Sequence, residues 1–346
     1  MNKKDLKIHI IGAGVSGLIA ARVLENHGFS PVIIEATDRV GGRVKTDLIG
    51  GYRLDHGFQV LLTAYPAAQK YLDYKALELQ KFLPGASIFL NNGQKLIGDP
   101  LRSPSLLFST LFSGIGTISD KIRILKLNLY LKKKSLTTIF AENEQTTHSY
   151  LTNLGFSEEI ITNFFKPFFS GIFLETKLET SSRMFEFVYK MFGEGHATLP
   201  KSGIEAIPKQ LLENLKTTTL KYNTKVETLK ETEITLNDGT CLKSDYTIIA
   251  TEASELVSNL KNQSTAWKSC VTLYFETDAR VIAKKLIGLI SKPGTLVNNI
   301  FYNSSLDARI KPSNELLSVT VIDTQSLSHE VLIEAVKEEL QSYCGI

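Results

Sequence analysis

The sequence predicts an α/β protein of two domains, and three observations carry this prediction. At 346 residues the chain is long enough for two domains that each bury a core. Its first 36 residues read as strand, helix and strand, which is how a parallel sheet begins. Residues from about 82 to 195 are mostly helical in pattern, whereas the stretches SCVTLYFET, TLVNNIFYN and LLSVTVI after residue 265 read as strands of a second, mixed sheet.

The first three elements form a βαβ unit. The aliphatic run LKIHII, residues 6–11, is typical of a short strand buried in a parallel sheet. In the helix that follows, Leu18 and Ala21 recur at helical spacing, and Gly28 is placed to cap the C-terminus. The stretch SPVIIEA is the second strand.

Three glycines occupy the turn between this strand and helix. Gly12, Gly14 and Gly17 have the GxGxxG spacing, which allows a tight turn, a close backbone approach to a pyrophosphate, and close packing of helix on strand. The helix N-terminus attracts the same anion. Glu35 ends the second strand, eighteen residues after Gly17, where a carboxylate accepts a hydrogen bond from a ribose 2′-hydroxyl and disfavours NADP. The pattern predicts a Rossmann-like domain that holds a dinucleotide.

A second glycine pair follows the acid. The stretch TDRVGGRVKT supplies Gly41 and Gly42, a second close backbone approach, and Arg43, a cation able to neutralise a phosphate or face a flavin. A domain that binds NAD has no need of these residues, so they favour FAD.

With this element the chain resembles the flavin amine oxidase, protoporphyrinogen oxidase and phytoene desaturase superfamily of FAD-dependent oxidoreductases. The similarity extends through three later stretches, which follow one another in the family's order: GYRLDHGFQVLLTAYP, residues 164–211 and residues 226–256. It therefore covers nearly the whole chain.

The resemblance implies FAD as the cofactor and a set of cofactor-binding residues. They are Gly12, Ala13, Gly14, Ser16, Gly17, Glu35, Ala36, Gly41, Gly42, Arg43, Gly57, Val226, Ala250 and Thr251. Within this set, Gly57 is expected near the flavin ring and the backbone of Val226 near the adenine. A plain turn glycine and a core valine on a strand are the alternatives at these two positions.

No catalytic side chain is predicted. In this family the flavin accepts a hydride equivalent at its N5, so no nucleophile is required. His56 could face the active site, but a hydrogen-bonded structural histidine explains it too, and the same holds for His196. The sequence has no nucleophile elbow and no HExxH stretch.

Two discontinuous domains are expected. Residues 1–80 and 196–264 form the FAD-binding domain, and residues 81–195 and 265–346 form the substrate domain. The substrate domain begins with a hairpin that turns at Asn92-Gly93.

The stretch SDKIRILKLNLYLKKKS could be a strand or a helix, and we expect a helix. Ile118, Ile122, Leu125 and Leu129 then share one face. The lysine run 132–134 is expected to be a solvated helix end, with contact to a membrane surface as the alternative.

The phenylalanine-rich stretch NFFKPFFSGIF suits an apolar substrate better than a polar amine. Such a substrate could be a carotenoid-like molecule, another isoprenoid or a tetrapyrrole. Most of these rings, Phe164, Phe165, Phe168, Phe169 and Phe173, are expected in the core, and some could line an apolar tunnel. Two alternatives remain: an amine oxidase, and a non-enzymatic lipid-binding protein on the same fold.

Composition excludes other classes of protein. The 39 Lys and Arg residues nearly balance 36 Asp and Glu, so no nucleic-acid partner is predicted. The scattered Cys241, Cys270 and Cys344 form no CxxC pair, which predicts no metal site and a reducing, cytoplasmic location. The longest apolar stretch, residues 104–118, is interrupted by Ser, Thr and Gly, so we expect a soluble protein or one peripheral at a membrane.

Family members continue into a segment resembling GD(x)nG(x)3G, which covers part of the flavin. No such segment occurs before Ile346. The chain is therefore either a fragment of a longer protein or a shortened homologue with an incomplete flavin site, and we expect a fragment.

Overall fold

In the computed structural model of the protein, the described residues are 5–91, 93–99, 102–111, 113–257, 260, 265–306 and 314–346. They form two compact units. The first unit comprises Met1–Asp47, Ala67–Glu78 and Ser202–Trp267. The second unit comprises Leu48–Pro66, Leu79–Lys201 and Lys268–Ile346.

The secondary structure begins as strand, helix and strand, and then runs largely in blocks: several strands, a long helical stretch over residues 107–194, and further strands before the last helix. The strands are β1 (Ile8–Ile11), β2 (Val32–Ile34), β3 (Thr46–Ile49), β4 (Tyr52–Asp55), β5 (Leu61–Leu62), β6 (Gln80–Lys81), β7 (Gly85–Leu90), β8 (Gly93–Gly98), β9 (Ala197–Leu199), β10 (Thr219–Lys221), β11 (Val226–Leu229), β12 (Glu233–Leu236), β13 (Cys241–Lys243), β14 (Tyr246–Ile249), β15 (Val271–Thr277), β16 (Ile287–Ile290), β17 (Val297–Tyr302) and β18 (Glu315–Val321). The helices are α1 (Val15–Asn26), α2 (Pro66–Tyr71), α3 (Leu107–Leu111), α4 (Ile118–Lys133), α5 (Leu136–Ala141), α6 (Thr147–Asn153), α7 (Glu158–Ile160), α8 (Lys166–Phe173), α9 (Ser182–Glu194), α10 (Ala206–Glu213), α11 (Ala253–Leu256) and α12 (His329–Glu339). π-helical turns cover Ile161–Phe165 and Leu340–Cys344.

The first unit is built on a parallel sheet with the strand order β10-β2-β1-β14. All of β1 is buried, which explains its uninterrupted apolar sequence. α1 connects β1 to β2, and Gly28 follows the helix with a φ of +83°, as its predicted capping role requires. The predicted α/β class and its βαβ beginning are confirmed. A small antiparallel sheet, β11-β12-β13, completes this unit.

The second unit contains a six-stranded mixed sheet in the order β15-β18-β17-β16-β7-β8. Its neighbours are antiparallel except β16 and β7, which are parallel. The predicted hairpin is present as β7 and β8, although its turn residue Asn92 lies outside the described residues.

Residues 48–66 belong to the second compact unit, whereas the sequence-based division grouped residues 1–80 together. The reason is strand pairing: β5 in this segment pairs with β9, which also belongs to the second unit. Local sequence patterns carry no signal for such a pairing. The division into cofactor and substrate roles stays a prediction.

The phenylalanine-rich stretch lies in the core of the second unit. Phe165 and Phe169 are fully buried and pack against Phe185, with ring centroids 6.0 and 4.6 Å away. Three further rings of this stretch, Phe164, Phe168 and Phe173, are partly buried against the same core. The rings therefore pack mostly as core, as the sequence predicts.

The ambiguous lysine-rich stretch is a helix, α4, as predicted. A capping box between Thr117 and Asp120 begins it. Lys132 and Lys133 are exposed, but the prediction of a solvated end is wrong for Lys134. Its amine is buried and contacts Glu142 and Glu186, each at 2.5 Å, so pairing with carboxylates overrides the ordinary preference of lysine for water. In the part of the chain that the structure describes, no helix has both the length and the apolarity to cross a membrane.

Candidate functional site

The turn from β1 to α1 needs glycine at two positions for different reasons. Gly12 has a φ of +100°, and a Cβ added there would lie 3.1 Å from the carbonyl oxygen of Ala250. A Cβ on Gly17 would lie 2.0 Å from the carbonyl oxygen of Gly12. No side chain fits at that distance, so Gly17 is what lets α1 pack directly on the turn.

Gly14 is different because the space beside it is open. Its backbone is extended, with a φ of −67°, and a Cβ built there meets no atom within 4 Å. Gly14 is the N-cap of α1 and, being a glycine, it has no side chain that could accept a hydrogen bond from the first turn of this helix. The N–H groups at the start of α1, where Ser16 is exposed, remain for an anionic ligand.

Glu35 joins the turn to the loop after β2. Its Oε2 accepts a hydrogen bond of 2.7 Å from the backbone N–H of Ala13. Its Oε1 accepts bonds from the N–H and the hydroxyl of Thr37, at 2.9 and 2.7 Å. Glu35 is only 7% exposed, and the hydrogen bonds from these donors offset the free-energy cost of burying its charge. Because Oε2 has a single donor here, it retains capacity for a ribose hydroxyl.

The second glycine pair lies directly against the first turn. The N–H of Gly41 donates a 3.0 Å bond to the carbonyl of Ala13, and Gly41 forms a parallel bridge with Gly14. A Cβ on Gly42 would lie 3.4 Å from the Cα of Gly14. Two glycine-rich segments separated in the sequence therefore meet backbone to backbone beside the start of α1.

Buried and paired charges support the loop that carries this second glycine pair. Arg39 pairs with Asp47 at 2.6 Å and approaches Glu205 at 3.7 Å. Glu205 is 3% exposed, pairs with Lys209, and its backbone N–H donates to the hydroxyl of Thr46. These contacts attach the loop to the start of α10.

Arg43 projects from the same loop and is exposed. Its guanidinium lies over the ring of Trp267, 5.0 Å from the centroid, which is cation–π geometry. Trp267 is the only tryptophan of the sequence. Sequence reasoning missed it, because no local pattern links residues so far apart in the chain. It also missed Thr37, although a threonine two residues after a strand-end acid is a local signal.

The remaining predicted residues of the first unit lie around this turn or in its core. Ala250 donates its N–H to the carbonyl of Ile11, and its Cβ would be 3.4 Å from a Cβ on Gly17. Thr251 follows it, and Ala36 is exposed beyond Glu35. The side chain of Val226 is buried with Ile11, Ile34, Ile234 and Leu236, as the core-valine alternative predicts.

Gly57 and His56 belong to the second unit, where they follow β4. Gly57 has a φ of +93°, which only glycine adopts readily. The next residue, Phe58, contacts Phe301 of β17 and Phe82, with centroids 5.4 and 6.2 Å away. The HGF segment, residues 56–58, therefore lies beside a group of aromatic side chains, Phe82 and Phe301, on one face of the six-stranded sheet.

The other candidate histidine, His196, also lies in the second unit. Its backbone N–H donates to the hydroxyl of Thr63, and its Nδ1 is 3.2 Å from the guanidinium of Arg102. Partial burial, with the cations Lys81 and Arg102 nearby, lowers the pKa of His196. This shift favours the neutral form of His196, and its contacts agree with the alternative of a hydrogen-bonded structural histidine.

The donors of the first unit fit a dinucleotide. Uncompensated N–H groups at the start of α1 suit a pyrophosphate, the open space beside Gly14 admits its close approach, and Glu35 suits a ribose hydroxyl.

Comparison with known proteins also indicates a protein that binds a flavin dinucleotide. The family model for flavin containing amine oxidoreductase matches residues 15–345. Protoporphyrinogen oxidase 2, chloroplastic/mitochondrial, of Arabidopsis thaliana is 27% identical over 168 residues, 48% of this chain and 32% of that protein. The L-amino-acid oxidase of Sistrurus catenatus edwardsii is 35% identical over 104 residues, 29% of this chain and 20% of that protein.

Among solved structures, an oxidoreductase from Methanosarcina mazei aligns with a TM-score of 0.73 at 18% identity, covering 97% of this chain and 84% of that one. This likeness concerns the fold. The chain matches about a third of the length of the Arabidopsis relative and a fifth of the snake relative.

Proposed function

The chain belongs to the family of flavin-containing amine oxidoreductases, and from this premise we propose that it oxidises or desaturates an apolar substrate by hydride transfer to FAD. The observation that carries the proposal is the contact between the two glycine-rich segments at the start of α1. An NAD domain needs the first segment, whereas a flavin domain uses both.

We assign the cofactor contacts to groups of the first unit. The N–H groups of the first turn of α1 would bind the pyrophosphate, Glu35 the ribose, and Arg43 a phosphate or the flavin. Bound FAD supplies a ring that accepts the hydride equivalent. Thr37 and Ala13 hold the Glu35 carboxylate in place through hydrogen bonds.

The substrate class rests on the aromatic group beside the HGF segment. Phe301 is fully buried, Phe82 is nearly so, and Phe58 is half-buried against both. Such rings exclude water and offer an apolar surface to a substrate. The two relatives are named for protoporphyrinogen and for L-amino acids, so their names alone leave both substrate classes open.

Two measurements on the purified chain mixed with FAD test the proposal. Flavin absorption bands at roughly 375 and 450 nm should persist after gel filtration. Under anaerobic conditions, a reduced tetrapyrrole or an isoprenoid should bleach the band at about 450 nm, whereas L-amino acids and polyamines should not.

Bleaching by amines alone would overturn the apolar assignment and favour amine oxidation. A chain that stays colourless after addition of FAD, yet binds isoprenoids, would favour the lipid-binding alternative. Glu35→Gln serves as the matched cofactor-site variant, because it keeps the shape of the side chain and removes its charge.

A further inference from the structure

Helix α4 carries two apolar faces, and only one of them is covered. Leu127 and Leu131 are buried against the phenylalanine-rich core of the second unit. The other face points away from this core. Its apolar side chains are 77%, 50%, 42% and 53% exposed, in the order Ile118, Ile122, Leu125 and Leu129.

These four residues form a continuous stripe. Their spacings of four, three and four residues keep them on one side of an α-helix, over a length of about 16 Å. A single exposed leucine is ordinary on a protein surface. Four large aliphatic side chains aligned over three turns are not, and an exposed apolar patch of this kind marks an interaction site.

Lysines border the stripe on both sides. At about 100° per residue, Lys126 and Lys133 lie along one edge, and Lys121 and Lys132 lie along the other. The only acidic residue of α4 is Asp120, which is on the buried side. Its carboxylate accepts hydrogen bonds from Thr117 and Ser157. The outward face of α4 is therefore an apolar stripe with a cationic border.

We propose that this face of α4 docks onto an anionic membrane surface, with the helix lying in the plane of the interface. The four aliphatic side chains would enter the boundary between headgroups and acyl chains, and the lysines would contact anionic headgroups. Charge complementarity selects this occupant. Two copies of the chain joined through the same face would bring their lysine borders together.

This inference does not depend on the proposed function, since membrane docking requires no flavin. It would nevertheless give an enzyme for apolar substrates access to molecules that dissolve in the bilayer. The two ideas fail separately, because one is measured with vesicles and the other with flavin absorbance.

The test is co-sedimentation of the full chain with extruded vesicles of phosphatidylcholine, with or without about a third of phosphatidylserine. We expect binding to the anionic vesicles that weakens as salt is added. The variant Leu125→Asn/Leu129→Asn should reduce the partition coefficient at least tenfold, and Lys126→Gln/Lys133→Gln should reduce it severalfold and flatten its salt dependence.

Two variants control for surface composition. Leu154→Asn/Val331→Asn removes exposed apolar side chains outside α4, and Lys284→Gln/Lys285→Gln removes exposed lysines outside α4. Both should bind vesicles as the unmodified chain does. Circular dichroism and thermal melting check that every variant is folded. If the leucine variant does not fold, the vesicle binding of the lysine variant tests the proposal.

Three results would overturn the proposal. The first is an unmodified chain that stays in the supernatant with anionic vesicles. The second is binding that both α4 variants retain. The third is a dimer in solution that the leucine variant dissociates while vesicles have no effect, because the face would then join two copies of the chain.

Discussion

The turn between β1 and α1 and the helical part of the second unit both contain buried polar groups, but they use them in opposite ways. At the turn, backbone N–H groups and the space beside Gly14 are left open. Around α4 and α9, buried charges are paired with one another. Lys134 contacts Glu142 and Glu186, and the hydroxyl of Tyr150 donates to Glu186.

The difference separates a binding role from a structural one. Although burial opposes its charge, hydrogen bonds from Lys134 to Glu142 and Glu186 raise the pKa of that lysine. Burial and the neighbouring Glu186 raise the pKa of Tyr150. A network whose members satisfy each other offers little to a ligand, whereas the turn retains donors that only a ligand or water can use.

The largest effect is expected from breaking the paired network. Glu186→Ala removes the carboxylate that Lys134 and Tyr150 share and leaves a buried ammonium with one partner fewer. We expect the free energy of unfolding to fall by about 3–5 kcal/mol, measured by urea denaturation. Lys230→Ala, which breaks an exposed pair with Glu233, is the control and should cost less than about 1 kcal/mol. If the free energy of unfolding fell by a similar amount in both variants, the structural role of the network would be contradicted.

The next effect comes from a matched pair of substitutions in the turn. Gly17→Ala should lower both stability and FAD affinity, because its Cβ would collide with the carbonyl of Gly12. Gly14→Ala should leave stability unchanged or raise it by up to about 1 kcal/mol, since nothing lies within 4 Å and the backbone is extended.

Gly14→Ala should nevertheless weaken FAD binding at least tenfold, because the methyl group would occupy the space assigned to the pyrophosphate. Thermal melting gives the stability of each variant, and equilibrium dialysis gives the FAD affinity. If Gly14→Ala binds FAD like the unmodified chain, the pyrophosphate does not lie beside Gly14.

The third effect concerns Asp120, a buried carboxylate of the second unit that is held by hydrogen bonds. Although burial disfavours its charge, hydrogen bonds from Ser157 and Thr117 lower the pKa of Asp120. Its folded pKa is therefore below the unfolded value, so its contribution to stability is present above the unfolded pKa and is lost as the pH falls through the folded one. At neutral pH, Asp120→Asn should cost about 1–3 kcal/mol.

The difference in unfolding free energy between Asp120→Asn and the unmodified chain should shrink as the pH falls below about 4. Urea denaturation at several pH values measures it. A difference that stays constant down to the lowest accessible pH would show that the charge of Asp120 does not contribute.

The same contrast explains what the sequence could and could not predict. The turn was predictable because its glycines and Glu35 lie within 24 residues and their spacing follows from backbone geometry. The helical period of α4 was predictable too. Which of its faces is buried was not, because both faces are apolar and only the packing of distant elements decides between them. The pairing of Lys134 with Glu186 was missed for the same reason, since 52 residues separate them.

The smallest effect is expected at Trp267, which makes a long-range contact to Arg43, a residue of the predicted site. An exposed cation–π contact contributes about 0.5–1 kcal/mol, so Trp267→Leu should weaken FAD binding roughly two- to fivefold. Arg43→Lys, which keeps the charge but loses the planar guanidinium, should give a similar loss, and the double variant should add little to either. Because the chain has one tryptophan, its fluorescence should be quenched as FAD binds, and Arg43→Lys should shift the titration midpoint. If the losses of FAD affinity in the two single variants added fully in the double variant, Trp267 would not act through Arg43.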